Sequence, residues 1–215
     1  MPNDDNCFEN LWDWAEQEGG DELRQVVFVP DDLEGDLDRL AAILEIEAGA
    51  YAPAVNEVYY VRHAVQGVWS HCYETVRKPG QWLTESVEGD LPSIEVSISD
   101  LHQMVFALAE VGIANTPDRG RVSLIVFPED GAVRFELRDS GPSLDAELID
   151  ILSGSKPVSC CFGQSDGQIA TRLALGFVRS LATFYGGSSG AESLPGGGQV
   201  AWFSLPSGAP PGRVP

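Results

Sequence analysis

The spacing of apolar residues in the first half of the chain predicts two helices. The first begins at Asp31-Asp32, which supply N-cap chemistry, and ends at Gly49. Its apolar residues recur at roughly helical spacing, namely at Leu33, Leu37, Leu40, Ile43, Leu44 and Ile46. The second covers about residues 54–77 and ends at the breaker residues Lys78-Pro79-Gly80. Because the connection between them is short, the pattern predicts an antiparallel helical hairpin.

The second half of the chain mixes strand and helix patterns. Residues 91–98 alternate as a strand does, and Asp100 is expected to cap a helix over about residues 101–114. Two further strands, residues 121–127 and 132–137, flank an Asp-Gly pair, which is a strong hairpin signal. The remaining predicted elements are helices over about residues 144–152 and 169–185, an irregular stretch over residues 153–168, and a last strand over residues 199–205.

One of these strands ends in a candidate functional residue. Period-two alternation over residues 133–138 places apolar side chains on one face and charged side chains on the other. Asp139 follows at the end of the strand, and Gly141 then allows a turn. The pattern therefore places a carboxylate at the mouth of a pocket.

Composition narrows the class of partner. The chain has 215 residues, and its hydrophobic content of 43% is ample for a folded core. Its formal net charge of -20 argues against binding to nucleic acid or to anionic membranes, because both would repel it. A basic protein partner is compatible with this charge, and so is an acidic surface that serves only solubility.

Cysteine and histidine usage gives no metal site. Histidines at three scattered positions (His63, His71 and His102) and four cysteines without ligand spacing predict no metal centre. Reduced thiols fit a cytoplasmic protein. No apolar run approaches the roughly 18 residues that span a bilayer, and the acidic N-terminus is unlike a signal peptide. We therefore expect a cytoplasmic location.

Residues 85–206 resemble the ATP-binding module of histidine kinases, in the GHKL ATPase superfamily. Residues 101–117 resemble the N-box helix, Asp139-Ser140-Gly141-Pro142 the first glycine box, and residues 170–179 and 192–206 the second glycine-box helix and the closing hairpin. The resemblance implies an α+β fold, a two-layer α/β sandwich with a mixed sheet covered by helices on one face, preceded by the helical hairpin. The expected organisation is an acidic aromatic segment (1–24), a strand plus hairpin (25–80), the ATPase-like domain (81–206) and a Pro/Gly tail (207–215).

The departures from this family concern the nucleotide site. The position of the magnesium-binding asparagine falls on Val111, which has no oxygen ligand to offer. Ala170, Arg172 and Ala174 stand where family glycines let phosphates approach the backbone. Three residues stand as a remnant of the site: Glu110, Gly141, and Asp139, which in the family would bind the adenine amino group. We expect no metal and no cofactor, although weak ATP or ADP binding is compatible with Asp139, and magnesium-dependent phosphoryl transfer is disfavoured.

A helical hairpin before an inactive module resembles standalone histidine phosphotransferases. That resemblance implies a homodimer, a response-regulator receiver domain as partner, and His63 as the phosphate acceptor. Two departures stand against it. Ala64 replaces the acid that usually follows the histidine, and His63 lies on the second predicted helix instead of the first.

Two alternatives remain open. Residues 25–73 also resemble the opening of anti-sigma-factor serine kinases of the same superfamily, with His63 and Gly67 in place of the catalytic glutamate and the metal-binding asparagine. The later N-box helix is preferred because the hairpin and Asp139 follow it at the family's spacing. The second alternative is a pure protein-binding pseudo-ATPase, in which the degenerate module survives as an interaction surface.

Overall fold

A computed structural model of the chain describes residues 31–53, 57–59, 61–75, 78–158, 166–194 and 197–208. The predicted acidic aromatic segment, the strand at residues 26–29, three of the cysteines (7, 160 and 161) and residues 209–215 of the tail lie outside the described residues. The elements in chain order are α1 (Asp31–Glu47), β1 (Glu57–Tyr59), α2 (Val61–Thr75), β2 (Trp82–Val87), β3 (Ile94–Val96), α3 (Ile98–Asn115), β4 (Arg121–Glu129), β5 (Ala132–Asp139), α4 (Ala146–Ser153), α5 (Asp166–Phe184), β6 (Ser188–Ser193) and β7 (Gln199–Pro206).

Five strands form one mixed sheet in the order β2-β4-β5-β7-β6. The pair β2 and β4 is parallel, and the other neighbours are antiparallel. A separate antiparallel pair joins β1 to β3. Helices α3, α4 and α5 pack on the sheet, and α5 also packs against both α3 and α4. The predicted α+β architecture with a mixed sheet and a helical layer is confirmed.

The core lies between this sheet and its helices. Alternate residues of β4, β5 and β7 are buried there, and the rings of Phe135 and Phe203 stack at 4.6 Å between centroids. The opposite helical face is supplied by α3 and α5, with fully buried residues such as Leu108 and Phe177. The apolar side chains that alternate along the strands thus pack against those that recur every 3.6 residues along the helices, and together they form one apolar layer.

The β4–β5 hairpin confirms a local prediction. Asp130 and Gly131 alone connect the strands, with φ angles of 41° and 80°. Positive φ at both central residues is the requirement of a type I′ turn, which explains the Asp-Gly pair. Both strands extend beyond their predicted ends: β4 continues to Glu129, which pairs with Ala132, and β5 continues to Asp139, which pairs with Val122.

The predicted helical hairpin is wrong. Helix α2 begins only at Val61, since β1 occupies residues that had been assigned to it and pairs with β3. Helix α1 packs against α5, and α2 packs against α3, instead of against each other. Each helix has an apolar face, and these faces join the common core through residues such as Ile43 of α1 and Val65 of α2. Periodicity identifies the buried face of a helix without identifying its neighbour.

The predicted cap of α3 is also corrected. Ser97 is the N-cap, and its side chain accepts from the backbone N–H of Asp100. Asp100 is itself buried, with 4% of its surface exposed, and accepts hydrogen bonds from the hydroxyls of Tyr51 at 2.7 Å and Tyr185 at 2.5 Å. Asp100 therefore links the segment after α1 and the residue after α5 to the first turn of α3.

Helices long and apolar enough to cross a membrane are absent from the described part of the chain.

Candidate functional site

Asp139 ends β5 as predicted, but its carboxylate is enclosed. Only 5% of the residue is exposed. Oδ1 accepts from the backbone N–H of Gly141 at 2.8 Å and from the side-chain amide of Asn115 at 3.4 Å. Oδ2 accepts from Nε2 of Gln199 at 2.6 Å. Both oxygens of the predicted adenine-binding acid are thus engaged by the chain itself.

Burial raises the pKa of Asp139, and the hydrogen bonds from Gln199, Gly141 and Asn115 partly offset that rise. Gln199 is 1% exposed, and its other amide atom, Oε1, accepts from the backbone N–H of Leu144 at 2.8 Å. The amide is therefore held in one orientation, with its NH₂ toward the carboxylate. Turning it over would present an acceptor to Asp139 and a donor to Leu144.

Close backbone contacts hold the acid against the end of α3. A Cβ on Gly112 would lie 2.3 Å from a methyl of Leu137, and a Cβ on Gly141 would lie 2.5 Å from the carbonyl oxygen of Asn115. Helix α3 ends at this point because Pro117 follows Thr116, which takes an extended conformation. Asp139 and Gly141 therefore come together as predicted, at the carboxyl end of α3.

A cavity of about 480 Å³ lies beside Glu110 and Val111 of α3, and neither Asp139 nor Gly141 is among the described residues that line it. Val111 is buried and apolar. Magnesium requires oxygen ligands, which this side chain lacks. Groups of three or more potential metal-binding side chains are likewise absent among the residues that the structure describes. Val111 therefore cannot supply the magnesium ligand that the asparagine supplies in the family that the sequence resembles.

Helix α1 also lines this cavity, through Gly35, Asp36 and Arg39. The guanidinium of Arg39 pairs with the carboxylate of Glu110 and, at 3.4 Å, with that of Asp36. Arg39 is 18% and Glu110 31% exposed at the side chain. A cation from the chain itself is thus held beside Glu110, next to the position where the family places its metal.

The start of α5 forms the wall opposite α3. Ala170 and Ala174 line the cavity, as expected of residues that replace phosphate-contacting glycines. Arg172 does not line it. Its guanidinium instead forms two hydrogen bonds of 2.6 and 2.7 Å with Glu147 of α4, and this pairing lowers the pKa of Glu147.

Neither His71 nor His102 is among the described residues that line this cavity. His63 belongs to α2, but its side chain is outside the described residues. His71, on the same helix, is exposed and lies 5.3 Å from the ring of Phe106 between centroids. His102 is half-buried on α3, and burial lowers its pKa. Helix α3, not α2, lies beside Asp139, which favours the later N-box assignment.

Two residues of the site escaped the sequence analysis, namely Arg39 and Gln199. Arg39 pairs with Glu110, 71 positions away in the sequence, and Gln199 donates to Asp139, 60 positions away. Gln199 opens a predicted strand directly after three glycines, and nothing in that pattern indicates a carboxylate partner.

Comparison with known proteins adds a family match. The model of the histidine kinase-, DNA gyrase B- and HSP90-like ATPases matches residues 97–209. The sensor histidine kinase component HK1 of Mycobacterium tuberculosis is 28% identical over 123 residues, which are 56% of this chain and 70% of that protein. In a second mycobacterial sensor kinase the aligned region is only 31% of the protein, so the chain spans a minor part of that longer relative.

Solved structures give the same fold. The catalytic domain of histidine kinase ThkA superposes with a TM-score of 0.59 at 20% identity, over 71% of this chain and 95% of that domain. ThkA in complex with the response regulator TrrA superposes with a TM-score of 0.60 at 17% identity, over 97% of this chain and 58% of that chain.

Proposed function

This chain belongs to the family of histidine kinase-, DNA gyrase B- and HSP90-like ATPases, and from that premise we propose that it is a partner-binding protein of bacterial two-component signalling that does not hydrolyse ATP. Its expected partner is the receiver domain of a response regulator, and it acts as a scaffold for that domain. The structure of ThkA bound to its response regulator supports this class of partner.

The proposed loss of hydrolysis rests on three residues, Glu110, Val111 and Asp139, and on what their side chains contact. Val111 offers no metal ligand, Glu110 is paired with Arg39, and the carboxylate of Asp139 is engaged by Gln199. ATP hydrolysis in this fold needs a metal to neutralise developing charge on the phosphates. A nucleotide would also have to displace buried hydrogen bonds and an ion pair, each of which resists removal.

Helix α2 is the surface that we assign to the partner. Its solvent side exposes Arg62, Gln66, Gly67 and Ser70 together with Tyr73, which is 49% exposed. Spacings of three and four residues put these side chains on one stripe of the helix. Tyrosine and arginine are enriched among residues that contribute most to protein interfaces, which favours this stripe over the leucine-bearing surface of α1.

Phosphotransfer through His63 is the second candidate, because this histidine belongs to the same helix. Neutral imidazole is a nucleophile near physiological pH and can carry a phosphoryl group between receiver aspartates. In that case the protein would bind phosphorylated receivers and form a phosphohistidine. Homodimerisation belongs to this proposal too, as in the phosphotransferases that the sequence resembles.

Nucleotide titration tests the loss of hydrolysis. We expect isothermal titration calorimetry to give no magnesium-dependent ATP binding, and phosphate-release assays to give no turnover. Micromolar affinity that requires magnesium, accompanied by turnover, would overturn the proposal. ADP binding that is weak and unchanged by magnesium agrees with it.

Partner binding is tested with a panel of receiver domains immobilised for biolayer interferometry. Tyr73→Ala and Arg62→Glu are expected to weaken binding at least about tenfold, and Gln103→Ala, at an exposed position of α3, is the matched control. Binding to a sigma factor with no binding to any receiver would favour the anti-sigma alternative and refute our choice of partner.

Phosphotransfer is tested by incubation with a ³²P-labelled receiver domain. Acid-labile label on the protein that disappears in His63→Ala and persists in His71→Ala would establish His63 as the acceptor. Label retained in His63→Ala rejects that residue, and absence of label leaves the scaffold function alone.

A further inference from the structure

The outer side of α1 carries a line of apolar side chains that no described part of the protein covers. Leu37 is 58% and Leu44 is 49% exposed, and they are two of the four large apolar side chains exposed among the described residues. Ala41 and Ala48 are exposed too, and the backbone N–H of Ala48 bonds to the carbonyl oxygen of Leu44 at 2.9 Å, which continues the helical turn. Spacings of four, three and four residues align these side chains along one seam, the α1 stripe.

The opposite side of α1 is already used by the core. Ile43 is 3% exposed, Leu40, Ala42 and Ile46 pack against the buried cluster, and the helix packs on α5. The helix therefore cannot rotate to bury the α1 stripe without exposing the side that is now buried. Apolar residues on two sides are typical of a helix that is covered on both. Because α1 is held by α5, a partner would meet a stripe that is already ordered.

Acidic side chains border the α1 stripe. Asp38 and Glu45 follow its two leucines by one position, and both are exposed. Neither forms an ion pair with another residue that the structure describes. Glu47, 54% exposed, borders the opposite edge. In paired helices the residues beside the apolar seam face the charges of the partner helix. This arrangement fits a helix whose own borders are basic.

The same charges disfavour the other occupants of the stripe. A second copy of the chain would bring Asp38 and Glu45 against acids of the same kind, and each chain has a formal net charge of -20. Residues 1–30 of the chain carry eight acids and one arginine, so they would also be repelled. An anionic membrane surface would be repelled in the same way.

We infer that the α1 stripe docks a basic amphipathic helix of another protein. The apolar residues of that helix, spaced three and four apart, pack along Leu37 and Leu44, and its lysines or arginines flank them and face Asp38 and Glu45. The seam is only about three turns long, so we expect a dissociation constant of about 10–100 μM at physiological salt. The stripe lies on a different helix from the receiver surface assigned to α2, and the inference is independent of the proposed function.

The experiment is a fluorescence-anisotropy titration of labelled synthetic peptides of roughly 18 residues with the full chain. The first peptide has leucines at three- and four-residue spacing flanked by lysines, and the second has glutamates in place of the lysines. The third is a scrambled lysine peptide of the same composition, which keeps the charge without the apolar stripe. We expect saturable binding of the first peptide that weakens as salt is raised, no binding of the second, and binding of the third at least about tenfold weaker.

Variants of the exposed positions locate the binding. Leu37→Asn combined with Leu44→Asn should weaken binding of the lysine peptide at least about tenfold. Ala41→Arg keeps both leucines but blocks the seam and repels the peptide, so it should have a similar effect.

Asp38→Asn combined with Glu45→Gln should weaken binding about threefold to tenfold and reduce its salt dependence. The matched control, Asp90→Asn combined with Glu88→Gln, removes the same two kinds of charge at exposed positions after β2 and should change binding by less than about twofold.

Three results would overturn the inference. The first is equal binding of the scrambled and the amphipathic lysine peptides, or binding of neither; the second is binding unchanged in the leucine variant and in Ala41→Arg. The third assigns the stripe to another occupant. A dimer in sedimentation velocity that the leucine variant abolishes would assign it to a second copy. Peptide binding at least about tenfold tighter in Trp12→Asn combined with Trp14→Asn would assign it to the N-terminal segment of the chain.

Discussion

Replacement of Gln199 by glutamate gives the sharpest test of how the carboxylate of Asp139 is held. In the native protein Gln199 donates to Asp139 at 2.6 Å and accepts from the N–H of Leu144 at 2.8 Å. A protonated glutamate can make both bonds, because its O–H replaces the amide N–H. An ionised glutamate instead places a second carboxylate against the first, with both groups buried. Two such carboxylates cannot both ionise freely, so the pair must retain a proton.

The sign and size of the effect follow from linkage. The pKa of the carboxyl pair in the folded protein lies above the pKa of a glutamate in the unfolded chain, about 4.3. The stability that comes from the shared proton is therefore complete below about pH 4.3 and is lost as the pH rises through the folded pKa. Relative to the native protein, destabilisation should grow by about 1.4 kcal/mol per pH unit within this window. Gln199→Ala, which leaves a charged acceptor and a backbone donor unpaired, should cost about 3–5 kcal/mol.

Urea unfolding at pH 5.0 and pH 8.0, followed by circular dichroism, measures both variants. The control is Gln103→Glu, the same chemical change at an exposed position of α3, which should alter the free energy of unfolding by less than about 0.5 kcal/mol at either pH. Equal destabilisation of Gln199→Glu at the two pH values would refute the coupling to Asp139. A loss below about 1 kcal/mol in Gln199→Ala would show that the amide does not hold the acid.

Other predictions concern packing, a buried acid and a thiol. Gly112→Ala should destabilise the protein by about 1–3 kcal/mol, because the new Cβ would lie 2.3 Å from a leucine methyl of β5. Gly67→Ala has open space at its Cβ and should stabilise α2 by about 0.5–1 kcal/mol. Urea unfolding measures both variants, and equal effects on the free energy of unfolding would contradict this packing. Tyr185→Phe should cost about 1.5–3 kcal/mol in the same assay, since Asp100 loses a charge-assisted hydrogen bond, and a neutral result would reject that bond. Burial raises the pKa of Cys72 to about 12, so in a variant whose other three cysteines are serine the remaining thiol should react with Ellman's reagent at pH 8 only after urea is added.

Local sequence patterns predicted those parts of the fold whose cause is local. The Asp130-Gly131 turn needs positive φ at both residues, and the sequence supplies the residue types that accept it. Alternation predicts that Asp139 lies on the same face of the strand as Phe135 and Leu137, and the burial of all three agrees with this. Hairpin and acid could be predicted because each depends on neighbours within a few positions.

The remaining features depend on contacts between distant residues. Asp100 was interpreted as a helix cap from its position, but Tyr51 and Tyr185 approach it from 49 and 85 positions away. Helix α1 was assigned the wrong neighbour for the same reason, since an apolar stripe can bury itself against any complementary face. Burial and partner choice are properties of the assembled fold, and only the structure specifies them.

The departures from the family at the nucleotide site are compensated within the protein. Without partners from other elements, Glu110 would lack a cation, and Oδ2 of Asp139 would lack a donor, although Oδ1 would keep those of Gly141 and Asn115. Instead Arg39 pairs with Glu110, and Gln199 donates to Asp139. Each of the two acids thus has a partner from another element, so Glu110 links α3 to α1 and Asp139 links β5 to β7. These two pairs agree with the proposed scaffold function, because they use both acids to hold elements together instead of for nucleotide chemistry.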